Sequence, residues 1–296
     1  MNVDLVLDAR AQIGESPIWV AEGNYLYWVD IKAPTLHRTQ LDNMTTETWV
    51  LPADIGAYAL DGRGRALVAL RTGLYWLDCA THALTLQEIA PFDSNIIRFN
   101  EGACDSQGRF WIGTMTDPVD GSVAERKGCL YSFTSAKGLI AHPDFAFLAN
   151  GMAWNFDESV FYLAHSYARK VFAFPYDKQT GSLGNRTEFI RVAGEGGLPD
   201  GAALDSEGGY WCAIHGGGCL HRYTASGKLD AVVPMPVSQP TMCCFVGKKL
   251  DELYVTSARE KLQPEQLRRE PYAGGIFRLR PDIPGQRKYW RVDWRQ

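Results

Sequence analysis

Four short stretches of the chain place an oxygen-bearing side chain directly before a small residue, and each leads into an apolar segment. The stretches are Gly14-Glu15-Ser16-Pro17, Arg98-Phe99-Asn100-Glu101-Gly102, Ala149-Asn150-Gly151 and Pro199-Asp200-Gly201. Hard divalent cations are bound in proteins by carboxylate and carbonyl oxygens. If the fold brings these side chains together, they have the chemistry of a Ca²⁺, Mg²⁺ or Mn²⁺ site.

An internal repeat gives all four stretches the same phase. Each unit reads as an apolar strand, a polar turn and a second strand, and its anchor residues are spaced by 39, 44, 51, 49 and 43 positions. The anchors are Trp28, Leu67, Trp111, Tyr162, Trp211 and Tyr254. A period of about 40 to 50 residues with several short strands is typical of β-propellers. We therefore predict an all-β protein, a six-bladed β-propeller, with residues 1–296 forming one domain.

Equal phase in a closed, symmetric fold implies convergence in space. In a propeller, the start of each innermost strand lines one end of the central channel, so Glu15, Asn100, Asn150 and Asp200 are expected to meet there. Asn-Gly and Asp-Gly are also common turn dipeptides. A turn does not require the shared phase, however, and we therefore predict a metal site in the channel.

Other classes of protein fit the composition poorly. The chain has 296 residues and a net charge of −4, without the basic stripe of a nucleic-acid-binding protein or the run of about 20 apolar residues of a membrane span. Its seven cysteines include no C-x-x-C pair, which argues against a disulfide framework or zinc site. We predict a cytoplasmic protein that binds neither nucleic acid nor membrane, as a monomer or weak homo-oligomer.

The sequence also predicts the roles of Arg98 and of three further segments. Arg98 and Asn100 lie on the same side of an extended segment, so Arg98 is expected either to clamp a substrate oxygen or to pair with Glu101. The polar segment Thr116–Lys127 is predicted to be a mobile loop over the site. The segment Arg287–Arg295 is read as a last strand or tail, and Pro264–Arg269 as one helical turn.

Taken in order, the motifs resemble the family of senescence marker protein/regucalcin and bacterial gluconolactonases over nearly the whole chain. They are Gly14-Glu15-Ser16-Pro17 with Trp19, Trp28-Val29-Asp30, Arg98-Phe99-Asn100-Glu101-Gly102, Gly113-Thr114-Met115, Asn150-Gly151-Met152 with Trp154, Pro199-Asp200-Gly201, Cys243-Cys244-Phe245, Tyr254-Val255-Thr256-Ser257-Ala258-Arg259 and Ala273-Gly274-Gly275-Ile276-Phe277. Such a set is far more specific than any single motif.

The resemblance implies one divalent metal ion bound by Glu15, Asn150 and Asp200. Calcium is the first choice, and Zn²⁺, Mn²⁺, Mg²⁺ and Fe²⁺ are alternatives. It further implies that Arg98 and Asn100 hold the substrate and that Asp200 is the general base. The reaction is hydrolysis of a sugar lactone to its aldonic acid, with Lewis-acid assistance from the cation.

The sequence departs from the family pattern at two places. Glu101 stands where the family usually has Asp, and Pro118, with Asp117 beside it, falls where the lid often carries an acidic substrate contact. Glu101 and Asp117 are therefore predicted as substrate-binding residues, but the lactone is not specified. The alternatives are a calcium-dependent phosphotriesterase or ester hydrolase of the propeller type and a non-catalytic metal-binding propeller.

Overall fold

The chain forms six antiparallel sheets that surround a channel. A computed structural model describes residues 1–142, 148–194 and 196–292. Five sheets have four strands and one has five. The innermost strands pack against one another in a closed ring, each against that of the next blade. The predicted six-bladed β-propeller is confirmed.

The blades follow the chain in order. Blade one contains β2 (Gly14–Val20), β3 (Tyr25–Asp30), β4 (Thr35–Gln40) and β5 (Thr45–Val50), and blade two contains β6 (Ile55–Leu60), β7 (Arg65–Leu70), β8 (Gly73–Asp78) and β9 (Leu84–Ile89). Blade three contains β10 (Ile97–Cys104), β11 (Phe110–Thr116), β12 (Leu130–Thr134) and β13 (Gly138–His142). Blade four contains β14 (Ala149–Trp154), β15 (Val160–His165), β16 (Lys170–Asp177), β17 (Ser182–Leu183) and β18 (Thr187–Arg191). Blade five contains β19 (Leu198–Leu204), β20 (Tyr210–His215), β21 (Cys219–Tyr223) and β22 (Leu229–Pro234).

Blade six joins the two ends of the chain. It contains β23 (Pro240–Val246), β24 (Glu252–Ser257) and β25 (Ile276–Leu279), and β1 (Asp4–Leu7) forms its outermost strand. The register pairs Asp4 with Arg278 and Leu5 with Phe277. The N-terminal strand therefore closes the ring by hydrogen bonds to the last blade.

Burial falls from the channel outward, as the strand compositions lead us to expect. β6, β14 and β23 are buried at every residue, because neighbouring blades cover both of their faces. The outermost strand β5 is exposed at five of its six positions, the exception being Trp49. The anchor residues of the repeat all lie on the second strand of their blades. The core thus consists of apolar layers between adjacent blades.

The repeated Asp of the first hairpin turn acts through its side chain. Asp205 accepts hydrogen bonds from the backbone nitrogens of Glu207 and Gly209 through Oδ1, and from Trp211 Nε1 and Arg222 Nε through Oδ2. Asp61 and Asp105 bond their own turns in the same way. The positive φ that these turns require falls on glycines such as Gly208. The Asp therefore ties turn, second strand and third strand into one unit.

The remaining segments agree with the sequence in part. A helix spans Pro264–Arg269, as predicted, and all seven cysteines carry free thiols. Residues 287–292 form a tail with no strand of their own, and residues 293–295 of the predicted segment lie outside the described residues. No helix in the described parts of the chain is long and apolar enough to cross a membrane.

Candidate metal and substrate site

Every innermost strand carries a β-bulge at the phase that the repeat analysis selected. The register with the second strand shifts between Glu15 and Ile18, between Asn150 and Ala153, and at the equivalent places in the other blades. A bulge leaves one or two residues without ladder partners and re-aims their side chains. Asn100 and Asp200 lie within their bulges, and Glu15 and Asn150 are the last paired residues before theirs. The six bulges therefore lie at the end of the channel where these side chains are found.

The four predicted oxygen-bearing side chains line one cavity at this end of the channel. The cavity has a volume of about 740 Å³, counted to its open mouth, and Arg98 and Asp117 also line it. Its other walls are formed by Ile13, Ile31, Lys32, Met115, Leu148, Ser166, Tyr167, Leu198, Pro199, His215, Glu260 and Lys261. Glu15, Asn100 and Asn150 are buried and Asp200 is half-buried. The structure therefore brings together residues that are up to 185 positions apart in the sequence.

A chain of hydrogen bonds fixes the amide side chains of the cluster. Arg98 Nη1 donates to Asn100 Oδ1 at 2.9 Å, and Asn100 Nδ2 donates to Asn150 Oδ1 at 2.7 Å. Asn150 Nδ2 donates to Ser166 Oγ at 2.8 Å, and Ser166 donates to the carbonyl of Pro199 at 2.7 Å. These bonds run from blade three to blade five, so both amides hold their oxygens in a defined orientation.

The two carboxylates of the cluster repel each other in a buried environment. Burial and then the charge of Glu101 raise the pKa of Glu15 to about 8. Burial and then the charges of Glu15 and Glu101 raise the pKa of Asp200 well above its usual value. Buried carboxylates are stabilised in the ionised form by a nearby cation. The cluster therefore gains most from a ligand that is positively charged.

The donor set suits a hard divalent ion. Two carboxylates and two amides supply only oxygen as potential ligands, which Ca²⁺, Mg²⁺ and Mn²⁺ prefer. Within the described residues, no three or more His, Cys, Asp and Glu side chains converge in an arrangement that could hold a metal. Glu15, Asn150 and Asp200 fit the chemistry of such a site, and their role as ligands stays a prediction.

Asp117 holds the cationic part of the cavity. Its Oδ2 accepts from Lys32 Nζ at 2.6 Å, from Arg98 Nε at 2.7 Å and from Arg71 Nη2 at 3.2 Å. Lys32 and Arg71 also bind Asp54, at 2.8 and 2.7 Å. Burial alone would raise the pKa of Asp117, but Arg98 and Lys32 outweigh it and hold the pKa well below the usual value. Arg98 is thus paired with Asp117 and not with Glu101.

Glu101 does not line the cavity. Its two carboxylate oxygens accept hydrogen bonds from the backbone nitrogens of Gly151 and Met152, both at 2.7 Å. These nitrogens are in the bulge of the next blade, where the ladder offers them no partner. The structure therefore places Glu101 where it positions the Asn150 strand, and we do not carry it forward as a substrate contact.

Several cavity residues escaped the sequence analysis. Lys32 lies just beyond the end of β3, and His215 and Lys261 come from blade five and from the segment after β24. None of them belongs to a repeated motif, so phase does not reveal them. The segment after β11 does reach the site through Asp117, and Arg126 stacks on the ring of the cavity residue Tyr167 at 4.0 Å. That this segment is a mobile loop over the site stays a prediction.

Fold and site together define a class: a six-bladed propeller with an oxygen-rich, acidic cluster in one end of its channel. Residues 13–259 match the family model described as SMP-30/Gluconolactonase/LRE-like region. The chain belongs to this family, which confirms the resemblance inferred from the motifs.

Named relatives agree with this assignment. The chain is 34% identical to human and to chicken regucalcin over 281 residues, which cover 94% of each protein. Its fold matches the solved structure of a calcium-binding protein, regucalcin, from Agrobacterium tumefaciens with a TM-score of 0.90 and 28% identity over 98% of both chains. A gluconolactonase from Xanthomonas campestris matches with a TM-score of 0.72 over 95% of this chain and 89% of that one, but at 19% identity it shows the fold alone.

Proposed function

We propose that the protein is a cytoplasmic sugar lactonase that hydrolyses an aldonolactone to the aldonic acid with one bound divalent cation, Ca²⁺ first among the candidates. The observation that carries the proposal is the convergence of Glu15, Asn150 and Asp200 with Arg98 and Asn100 in one cavity. Family membership and the calcium-binding regucalcin among the solved relatives support it.

The residues divide into two groups by their contacts. Glu15, Asn150 and Asp200 supply the oxygens that would hold the cation, which when bound supplies Lewis acidity for the lactone carbonyl. Arg98 donates hydrogen bonds from Nε to Asp117 and from Nη1 to the carbonyl of Phe99 and to Asn100 Oδ1. Its Nη2 makes no hydrogen bond within the described residues and is available to a substrate oxygen. The fixed guanidinium therefore orients a hydroxyl-rich ring.

Asp200 is the proposed general base. As a carboxylate at the cavity wall, it can accept a proton from water as the water oxygen forms a bond to the carbonyl carbon of the lactone. The bond between that carbon and the ring oxygen then breaks, and the proton passes to the ring oxygen, which becomes a hydroxyl of the aldonic acid. Asp117 contributes by holding Arg98 and Lys32, not by touching the reacting bond.

The test begins with chelator-treated protein. Ca²⁺, Mg²⁺, Mn²⁺, Zn²⁺ and Fe²⁺ are added back singly, and acid release from a panel of aldonolactones is followed above the spontaneous rate. We expect turnover that depends on a cation and falls by at least about a hundredfold in Asp200→Asn. The matched control is Glu22→Gln, which removes an exposed carboxylate outside the cavity and should leave turnover unchanged.

Other outcomes would redirect the assignment. Cation binding with turnover of aryl esters or phosphotriesters, but of no lactone, would favour the ester-hydrolase alternative. Cation binding that raises stability without any turnover would favour a non-catalytic propeller. Full lactonase activity in Asp200→Asn would remove Asp200 from the mechanism.

A further inference from the structure

The C-terminal segment crosses the end of the channel opposite the candidate site. Residues 285–292, here called the strap, are tied to blade six by Gly285 N and the carbonyl of Leu250 at 2.7 Å. Gln286 N bonds the carbonyl of Leu204 in blade five at 2.8 Å. At its far end the strap bonds both backbone groups of Leu60 in blade two. Blades five and two lie across the ring from each other, so the middle of the strap passes over the channel.

Lys288 is in the middle of the strap and places its side chain in the channel. It borders a cavity formed by residues in or just after the bulges of the innermost strands, among them Met152, Cys104, Ala203 and Cys244. Its Nζ is buried and has no hydrogen-bond partner within the described residues. Taking an ammonium group out of water without a partner is costly. A charge elsewhere in the channel is therefore needed to explain its position.

Asp61 and Asp105 share an outer cavity with Lys288, but they are paired with Arg65 and Arg109. The carboxylates at the site end of the channel are therefore the candidates for that charge. Met152, which borders the Lys288 cavity, donates its backbone N–H to Glu101 at 2.7 Å. Along a strand, two residues span about 7 Å, so the cavity that Lys288 borders begins about that far from Asn150, at Met152. Burial raises the pKa of Glu101 to about 7, and the charge of Lys288 is the largest influence that lowers it.

A charge balance connects these groups. Glu15 and Glu101 are buried and Asp200 is half-buried. Glu15 and Asp200 are candidate ligands, while Glu101 is occupied by backbone amides. Arg98 is paired with Asp117. A divalent cation neutralises two of the three carboxylates and leaves one, for which Lys288 is the available counter-charge from the other end of the channel.

We propose that Lys288 is a positioning residue of the candidate metal site, which acts through the buried carboxylates and sets the affinity for the divalent cation from the far end of the channel. The inference rests on the metal site of the proposed function. Because Lys288 carries the same sign as the cation, its charge opposes cation binding. Removing the charge of Lys288 should therefore tighten cation binding. If the strap had only a structural role, the same substitution would loosen the strap, disorder the site and weaken cation binding.

The test is calorimetric titration of chelator-treated, full-length protein with Ca²⁺ at alkaline pH, where protons compete little with the cation. Lys288→Met keeps the length of the side chain and removes the charge, and we expect it to bind Ca²⁺ about tenfold tighter, or about 1.4 kcal/mol. Lys288→Arg keeps the charge and should match the wild type. Arg287→Met removes an exposed cation of the same strap and should also match it.

The outcomes separate this inference from the proposed function. Unchanged or weaker Ca²⁺ binding in Lys288→Met, with the melting temperature of the metal-free protein preserved, overturns the role of Lys288 alone. If Lys288→Met does not fold, Lys288→Gln provides the same comparison. Ca²⁺ binding that tightens as expected without lactone turnover leaves Lys288 in place and removes the lactonase assignment. Absence of Ca²⁺ binding in the wild type overturns both.

Discussion

Asp117 pairs with three cations, Lys32 and Arg98 of the cavity wall and Arg71 behind it. Among the described residues, Asp54 is the other carboxylate that pairs with Lys32 and Arg71, and Arg98 has no second carboxylate partner. We predict that Asp117→Asn lowers the free energy of unfolding by about 2 kcal/mol, because breaking a partly buried ion pair leaves uncompensated charge. Urea unfolding measures the change. Asp120→Asn, an exposed position of the same segment, should change it by less than about 0.5 kcal/mol.

The same carboxylate predicts a dependence on pH. The pKa of Asp117 is lower in the folded protein than in the unfolded chain, so its contribution to stability is present above the unfolded pKa, about 3.9, and is lost as pH falls. The difference in unfolding free energy between wild type and Asp117→Asn should therefore be largest above about pH 5 and shrink below about pH 4. A difference that grows on acidification would contradict the ion-pair assignment.

From the residue pattern alone, site residues were predictable only where they share the phase of the repeat, whereas Asp117 was predicted through the resemblance of the motifs to a known family. Glu15, Asn150 and Asp200 share a phase, and phase alone predicts that they converge. Lys32 has no such signal, because an ordinary cation after a strand end reaches the cavity only through the packing of the blades. Arg71 contacts Asp117 without lining the cavity, and it has no signal in the repeat either. Glu101 lies in a motif that predicts a site residue, but its partners are backbone amides of the next blade. No local sequence pattern indicates these partners.

At the scale of elements, the bulges explain how the propeller builds a site from regular sheets. The bulges free backbone groups, and in blades one and four side chains of an adjacent blade satisfy some of them. Tyr58 donates to the carbonyl of Ser16, and Tyr210 donates to the carbonyl of Gly151. Irregular backbone at the channel is thus stabilised between blades.

Gly56 tests the close approach of innermost strands. In blade two, Gly56 occupies the repeat position that the site residues occupy in their own blades. A Cβ built on it would overlap the carbonyl of Phe99 in β10, next to Asn100. We predict that Gly56→Ala costs about 2 to 3 kcal/mol of stability through overpacking and also lowers cation affinity by shifting Asn100. Urea unfolding and Ca²⁺ titration measure the two effects. Gly196→Ala, where a Cβ meets nothing within 4 Å, is the control; equal stability of the two variants would refute the packing argument.

The order of the strands could be predicted from the period of the repeat, whereas the path of the strap could not. Arg287–Arg295 alternates aromatic and basic residues, a pattern as suitable for an edge strand as for a tail. The strap, residues 285–292, is fixed instead by backbone bonds to Leu250 of blade six, Leu204 of blade five and Leu60 of blade two. Such bonds carry no side-chain signature, so only the folded ring reveals that Lys288 faces the channel.

At the scale of the whole molecule, ring closure depends on β1. Its pairing with β25 gives the last blade its fourth strand. We predict that deleting residues 1–7 lowers the melting temperature by about 10 °C, because the deletion exposes the edge of β25 and uncovers apolar surface. Deleting only residues 1–2, which are exposed, is the control. A melting temperature unchanged by the longer deletion would show that the ring closes without β1.

We propose that equal phase in four repeats builds one divalent cation site. Crystals of the full-length protein soaked in Mn²⁺ allow the ion to be located directly by anomalous scattering. We expect the strongest peak to lie among the side-chain oxygens of Glu15, Asn150 and Asp200, and to be lost in Asp200→Asn. An ion bound elsewhere, or no peak in this cavity at saturating Mn²⁺, would contradict it.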